Sequence, residues 1–208
     1  MPTFFFLARH GQSEGNVKND IVGTNPPLTK LGLAQADELT QHLCHIQIDA
    51  VYASDLIRAK QTAEQIAHAV GQSVTTVPEL RERFFGSLEG KTSQWVNEQF
   101  GKQRQQFLVE PLDRQLEWRL VDDEESFAEV IARGIEFFNQ FGDEAEGKNI
   151  VAISHANMMV ALLVKLGFAA FHELPYGSIK NTGYMKIEKQ GSQLKLVDVF
   201  NISKKIKV

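Results

Sequence analysis

Residues 3–16, TFFFLARHGQSEGN, contain the transition on which the fold of the chain depends. The stretch begins as a short apolar run, which is typical of a strand buried in a parallel sheet, and it turns polar abruptly at Arg9-His10-Gly11. In open α/β sheets, ligands bind at the carboxyl ends of the strands. The pattern therefore predicts a site that begins at Arg9 and His10, although an isolated Arg-His-Gly tripeptide also fits a strand that simply ends at the surface.

The composition of the chain limits its function classes. Its 208 residues are enough for one domain with a sizeable core. The formal net charge of -4 gives no basic footprint for nucleic acid, and no apolar run reaches the length of a membrane-spanning helix. We therefore expect neither nucleic acid nor a membrane as a partner. An anionic ligand would have to be held by a local cluster of cations.

The chain contains a single cysteine, Cys44, so no disulfide can form within it. Its apolar neighbours Leu43 and Ile46 predict a packed side chain on a helix rather than a reactive thiol. The apolar run at residues 4–8 is too short for the core of a signal peptide. These features favour a reducing compartment, and we expect a cytoplasmic location.

Two further apolar strands are predicted to end on polar residues. One covers about residues 49–53 and precedes a helix with Arg58 in its first turn, and the other covers residues 149–153 and ends at Ser154-His155. Taken singly, Arg58 fits a solvated surface charge, and His155 fits a satisfied histidine at a helix start. Because parallel strands end at one edge of a sheet, four side chains are expected to converge: Arg9, His10, Arg58 and His155. Two guanidinium groups and two imidazoles suit a phosphoryl dianion, since guanidinium forks match phosphate oxygens.

The rest of the chain is less sharply patterned. Hydrophobic periodicity predicts helices over about residues 30–44, 55–70, 127–141 and 158–166, a short strand over residues 74–77 and a hairpin over residues 184–199. Residues 79–90, ELRERFFGSLEG, alternate charged and apolar side chains, which alone fits a surface turn. Residues 91–123 predict one or two amphipathic helices broken at Gly101 and Pro111, consistent with a lid over the site.

Five stretches in order resemble the histidine phosphatase superfamily, in the branch that includes the phosphoglycerate mutases. They are residues 9–16, 28–36, 52–64, 80–90 and 150–155. The resemblance implies a phosphoglycerate mutase-like fold, an α/β three-layer α/β/α sandwich with a mainly parallel central sheet. Residues 1–208 would form a single domain with a lid or cap insertion around residues 91–123. The chain departs from the family pattern at Ala156, where glycine usually follows the second histidine, and at Phe85, where tyrosine is common.

The resemblance also implies roles for individual residues. His10 matches the histidine that forms a phosphohistidine, and Glu82 matches the proton donor. Arg58 matches a phosphate-binding arginine, and His155 matches the second active-site histidine. The predicted catalytic set is Arg9, His10, Arg58, Glu82 and His155. The predicted substrate- and phosphate-binding set is Arg9, Ser13, Asn16, Gly23, Arg58, His155 and Ala156.

The predicted function is metal-independent hydrolysis of a phosphomonoester, with a phosphorylated small molecule as partner. No metal and no cofactor is expected, because side chains supply the positive charge. Family mutases that depend on 2,3-bisphosphoglycerate carry adjacent arginines after the proton-donor motif, and residues 91–123 contain no Arg-Arg pair. Arg81 or Arg83 could contact a substrate carboxylate, so the mutase remains an alternative. A further alternative is a non-catalytic scaffold that binds phosphorylated ligands, and the sequence does not indicate the oligomeric state.

Overall fold

A six-stranded sheet forms the centre of the computed structural model, which describes residues 1–18, 25–143 and 145–205. The strands are β1 (Thr3–Arg9), β2 (Ala50–Ala53), β3 (Val74–Thr76), β4 (Asn149–Ser154), β5 (Ile179–Gln190) and β6 (Gln193–Ile202). Their order across the sheet is β3-β2-β4-β1-β5-β6. Strand β5 runs antiparallel to β1 and β6, whereas the other neighbouring pairs are parallel. The prediction of a mainly parallel sheet is confirmed.

Helices follow most of these strands. They are α1 (Glu14–Lys18), α2 (Lys30–Leu43), α3 (Ile57–Val70), α4 (Ser93–Phe107), α5 (Leu112–Leu116), α6 (Phe127–Asp143) and α7 (Ala156–Lys165). The connection between β3 and α4 contains two 3₁₀ turns, at Pro78–Leu80 and Gly86–Leu88. No helix within the described ranges combines the length and the apolar character that crossing a bilayer requires.

Strand β1 divides the core into two apolar layers, because successive side chains of a strand point to opposite faces. Phe5 and Leu7 belong to a cluster with residues of α6 and α7, and Phe6 and Ala8 belong to a second cluster with residues of α2 and α3. The first cluster includes Phe137, Phe138, Met158 and Leu162, and the second includes Leu39, Leu43, Ala59 and Ala63. Helices therefore cover both faces of the sheet, which confirms the three-layer α/β/α sandwich.

Two expectations about helices are wrong. Helix α4 continues through Gly101, since one glycine costs a helix only about 1 kcal/mol relative to alanine. The break expected at Pro111 is present, because α4 ends at Phe107 and α5 begins after that proline. Cys44 is exposed rather than packed: it is the C-cap of α2, and its thiol donates to the carbonyl oxygen of Gln41 at 3.3 Å.

Candidate active site

The carboxyl ends of β1, β4 and β2 meet at one edge of the sheet. Arg9, the last residue of β1, is paired with Ser154, the last residue of β4, and β2 lies on the other side of β4. The residues that follow β1 and β4 are His10 and His155, whose ring centroids are 5.0 Å apart. Arg58, from the first turn of α3, donates from Nε to Nε2 of His10 at 3.1 Å. The structure thus brings side chains from all three strand ends together.

A close approach of two backbones positions the loop that follows β1. A Cβ atom on Gly11 would lie 2.3 Å from the carbonyl oxygen of Gly32, and one on Gly32 would lie 2.0 Å from that of Gln12. Any larger side chain would separate the loop from α2. The backbone of Gln12 also accepts from Thr29 N–H at 2.9 Å and donates to Gln35 Oε1 at 2.8 Å. These contacts explain why residues 28–36 accompany the Arg-His-Gly motif.

The hydrogen bonds of His10 fix its tautomer. Nδ1 lies 2.6 Å from the carbonyl oxygen of Gly11, which can only accept, so Nδ1 carries the proton. Nε2 faces the Nε–H of Arg58, which can only donate, so Nε2 presents a lone pair. Burial lowers the pKa of His10 well below its usual value, and the charges of Arg58 and Arg9 lower it further. At neutral pH the ring is therefore uncharged, with Nε2 able to act as a nucleophile.

Unpartnered polar atoms are concentrated at this cluster. Five buried side-chain nitrogen atoms in the described ranges have no hydrogen-bond partner, and four of them belong to Arg9 (Nε), Arg58 (Nη1) and His155 (both ring nitrogens). Buried polar atoms nearly always have hydrogen-bond partners, so four buried nitrogen atoms without partners at one place indicate a ligand-binding site. Two of the four atoms are guanidinium donors, which an anion with several oxygen atoms would satisfy.

Glu82 lies at the amino-terminal end of α7. Its carboxylate accepts from the backbone N–H of Asn157 at 3.0 Å, of Met158 at 3.2 Å and of its neighbour Arg83 at 2.9 Å. The two donors in α7 have no partner within the first turn of the helix, and a carboxylate at this end also interacts favourably with the helix dipole. The bonds orient Glu82 from a loop onto the wall of the site.

Burial lowers the pKa of the two buried guanidinium groups, Arg9 and Arg58. The negative charge of Glu82 acts on both in the opposite direction. The carboxylate is therefore within electrostatic reach of both cations. Within the described ranges, no group of three or more His, Cys, Asp or Glu side chains is arranged to hold a metal ion.

A cavity of about 700 Å³ lies beside the cluster. Its wall includes six of the predicted site residues: Arg9, His10, Asn16, Arg58, Glu82 and Ala156. His155 is fully buried against the His10 ring and is not part of the wall. Ser13 is also buried, and it exchanges hydrogen bonds with Asn16, donating from N–H at 3.1 Å and accepting at Oγ at 3.3 Å. Gly23 lies outside the described residues, and its binding role stays a prediction.

The sequence did not indicate that Asn181 holds the loop after β1 in place. Asn181, in β5, donates from Nδ2 to the carbonyl oxygen of His10 at 3.0 Å and to Asn16 Oδ1 at 3.3 Å. The following residue, Thr182, has a φ of 59°, a region that residues other than glycine rarely occupy. Such strain is common beside functional sites. No sequence signal marks Asn181, because one of its partners is a backbone atom about 170 positions away.

Sequence reasoning also missed a clamp on the loop that carries Glu82. Arg133, in α6, donates to the carbonyl oxygens of Glu79 at 2.7 Å, Arg81 at 2.7 Å and Glu82 at 3.2 Å. The same guanidinium forms a two-point ion pair with Glu125, at 2.7 and 3.0 Å. One side chain thereby fixes the backbone on both sides of the predicted acid.

The two arginines expected as substrate carboxylate contacts are both paired within the protein. Arg81 is exposed, forms an ion pair with Asp55 and is not part of the cavity wall. Arg83 does line the cavity, but its guanidinium lies 3.3 Å from Glu124 and packs over the Phe127 ring, 4.1 Å from its centroid. Arg81 therefore has no access to the cavity in this conformation, and contact of Arg83 with a substrate carboxylate stays a prediction.

Because His10 and His155 are uncharged in the folded protein, we expect its stability to depend on pH. Burial is the main cause that lowers the pKa of both His10 and His155 well below 6.5. The unfolded chain takes up protons near pH 6.5 and the folded chain does not, so the free energy of unfolding should fall as the pH drops below that value. The loss is at most about 1.4 kcal/mol per pH unit for each histidine.

Denaturant unfolding between about pH 7.5 and 5.5 in phosphate-free buffer measures this effect. The variant His155→Gln should show a weaker pH dependence than the wild type. The exposed His68 provides the matched control, and His68→Gln should leave the slope unchanged. An unchanged slope in His155→Gln would show that this ring is protonated in the folded protein.

Comparisons with known proteins agree on a family. A family model, described as histidine phosphatase superfamily (branch 1), matches residues 5–202. A 2,3-bisphosphoglycerate-dependent phosphoglycerate mutase of Methylocella silvestris is 30% identical over 179 residues, which cover 80% of this chain and 82% of that protein. Phosphatases are found among similar solved structures.

The native structure of a mycobacterial glucosyl-3-phosphoglycerate phosphatase is 24% identical, with a TM-score of 0.81, and the match covers 98% of this chain and 100% of that one. A mutant phosphoserine phosphatase from Entamoeba histolytica, in complex with phosphoserine, is 25% identical, with a TM-score of 0.78 and coverage of 95% and 96%. The names of the similar proteins therefore include both phosphatases and a mutase.

Proposed function

Because the chain belongs to the histidine phosphatase superfamily (branch 1), we propose that it hydrolyses phosphomonoesters through a phosphohistidine at Nε2 of His10. The observation that carries the proposal is the state of this imidazole. It is buried and uncharged, its lone pair is on Nε2, and the unpartnered guanidinium nitrogens of Arg9 and Arg58 belong to the same cluster. A neutral nucleophile beside two buried cations suits attack on a dianionic phosphoryl group.

In the first step, Nε2 of His10 attacks phosphorus and the bond to the leaving oxygen breaks. In the structure, the Nε–H of Arg58 donates a hydrogen bond to Nε2 of His10. This N–H must donate to a phosphoryl oxygen instead when Nε2 attacks phosphorus. Arg9 and Arg58 stabilise the charge on the phosphoryl oxygens, which is the main contribution that phosphoryl transfer requires of a protein. The positive charge that the imidazole acquires is stabilised by the Nδ1–H bond to the carbonyl oxygen of Gly11.

Glu82 is the proposed proton donor to the leaving oxygen. After the alcohol has departed, the Glu82 carboxylate accepts a proton from the attacking water. The P–N bond then breaks, its electron pair returns to Nε2 of His10, and inorganic phosphate is released. Helix α7 holds the carboxylate in place for both steps through the N–H groups of Asn157 and Met158.

The alternatives differ in what they require of the cavity. A phosphoglycerate mutase must also hold a substrate carboxylate, and the two arginines nearest to Glu82 already have acidic partners. The 30% sequence identity to a phosphoglycerate mutase nevertheless makes this reaction the second candidate. A non-catalytic scaffold would not need both a nucleophile and an acid. We also infer that residues 91–123 act as a lid, because α4 and the segment after α5 contribute to the cavity wall.

Phosphate release in EDTA tests the proposal. The wild type is expected to release phosphate from 4-nitrophenyl phosphate and from at least one alkyl phosphate with no divalent cation, because guanidinium groups supply the charge. Loss of activity in EDTA with recovery on adding magnesium would contradict metal independence. Conversion of 3-phosphoglycerate to 2-phosphoglycerate in the presence of 2,3-bisphosphoglycerate, without phosphate release, would establish the mutase instead.

A further inference from the structure

The cavity extends well beyond a phosphoryl group, and its remaining wall is largely apolar. The apolar side chains of this wall come from α4 and the residue after it, from the segment after α5, from α6 and α7, and from the connection between α7 and β5. They include Val96, Phe107, Leu108, Trp118, Leu120, Phe127, Val160, Phe171 and Leu174. A volume of about 700 Å³ is enough for a ligand much larger than phosphate.

Aromatic rings in mutual contact form one side of this wall. Phe107 lies 5.8 Å from Phe127 and 5.2 Å from Phe171, measured between ring centroids, and Phe127 lies 4.5 Å from Phe171. Trp118 contacts Phe107 edge to face at 6.0 Å. Clusters of this kind present rigid apolar surface, on which flat apolar groups gain both burial and ring contacts.

The buried charges in this part of the wall already form an ion pair. The side chains of Arg83 and Glu124 are only 8% and 1% exposed and form an ion pair at 3.3 Å. Arg104 is exposed and donates to Asn97 Oδ1 at 2.6 Å. Apart from Arg9 and Arg58, no buried cation among the described wall residues is therefore free to pair with a second anionic group of a ligand. A carboxylate packed against the buried rings would lose its hydration without gaining a buried cation as partner.

We propose that the enzyme selects phosphomonoesters whose leaving alcohol is bulky, uncharged and apolar, with an aromatic ring preferred. This substrate class rests on the proposed hydrolase function and adds the identity of the group that phosphate leaves behind. The phosphoryl group binds at the Arg9–Arg58 cluster, and the alcohol portion packs against Trp118 and the three phenylalanine rings. Small leaving groups that carry a carboxylate, such as glycerate or serine, leave the apolar wall uncovered.

Three aryl phosphates with leaving groups of similar acidity test the proposal, so that the chemical step is matched. They are phenyl phosphate, 2-naphthyl phosphate and 3-carboxyphenyl phosphate. For the wild type, kcat/KM is expected to be about tenfold higher for the naphthyl ester than for the phenyl ester, and about tenfold lower for the carboxyphenyl ester. A carboxyphenyl ester hydrolysed as well as the naphthyl ester would overturn the proposal.

Variants of Trp118 connect this preference to the wall. Trp118→Ala should reduce the naphthyl-to-phenyl ratio to near one, whereas Trp118→Phe should retain most of it, because an aromatic surface remains. Thermal stabilisation by inorganic phosphate in the same preparations reports whether the fold and the phosphate site at Arg9 and Arg58 are intact. An unchanged ratio in Trp118→Ala would contradict the assigned surface. No hydrolysis of any ester by the wild type would refute the hydrolase function, and the substrate class with it.

Discussion

Replacing His10 with alanine is expected to lower kcat by about four orders of magnitude or more, since removal of a nucleophile leaves only the binding and electrostatic contributions. Other imidazoles should not take over the role. His155 is fully buried and lies outside the cavity wall, and its pKa is lowered well below the usual range by burial and by nearby cations. Phosphate binding should survive in the variant, because the guanidinium groups of Arg9 and Arg58 remain.

Two measurements separate chemistry from binding in His10→Ala. Rapid quenching with a ³²P-labelled substrate should trap an acid-labile, alkali-stable phosphoenzyme in the wild type and none in the variant. Thermal stabilisation by inorganic phosphate should be present in both. The exposed histidine variant His68→Ala serves as the control and should form the phosphoenzyme normally. A phosphoenzyme in His10→Ala would assign the nucleophile to another residue.

The convergence of the strand ends could be predicted because it depends on local patterns. An apolar run followed by Arg9-His10 identifies a buried strand and its carboxyl end. The parallel arrangement then places the end of every such strand at one edge of the sheet, whatever the intervening loops contain. Arg58 and His155 follow from the same rule. The resemblance to a family added the role of Glu82, which the pattern of the loop alone leaves undecided.

The supports of the site could not be predicted, because their partners are mostly backbone atoms. Arg133 donates to three carbonyl oxygens about 50 positions away, and a carbonyl oxygen is the same in every residue type. Asn181 likewise holds the carbonyl of His10. The error at Cys44 has a different origin: apolar neighbours in sequence do not fix the side on which a residue at a helix end points.

The second large effect is expected from Glu82→Gln, and its size should depend on the leaving group. Alkyl phosphates need a proton on the departing oxygen, so phosphorylation of His10 by them should fall by about two to four orders of magnitude. The 4-nitrophenolate ion leaves without a proton, so phosphorylation by its ester should be nearly normal. Hydrolysis of the phosphoenzyme also needs the Glu82 carboxylate, to activate water. A burst of one nitrophenolate per enzyme should therefore precede a slow steady state.

Glu89 provides the control for this assignment. Burial raises the pKa of Glu89, and its carboxylate interacts with Arg58, so it is a second acid near the site. It does not line the cavity, whereas Glu82 does. Glu89→Gln should hydrolyse alkyl and aryl esters in the wild-type ratio. If Glu89→Gln rather than Glu82→Gln lost activity selectively on alkyl esters, the proton donor would be Glu89.

Arg133→Met extends the Glu82 prediction to the loop that carries the acid. Loss of the three carbonyl contacts should let the Glu82 carboxylate move relative to the leaving oxygen. The activity of the variant should therefore fall more on alkyl phosphates than on 4-nitrophenyl phosphate. The selectivity of the loss should be in the same direction as for Glu82→Gln, but smaller. Arg133→Lys keeps the charge without the planar fork and should recover only part of the loss. Equal losses on both esters would mean that Arg133 supports the fold and not the position of the acid. A selective loss would show that proton transfer depends on a side chain that touches neither the substrate nor the acid's carboxylate.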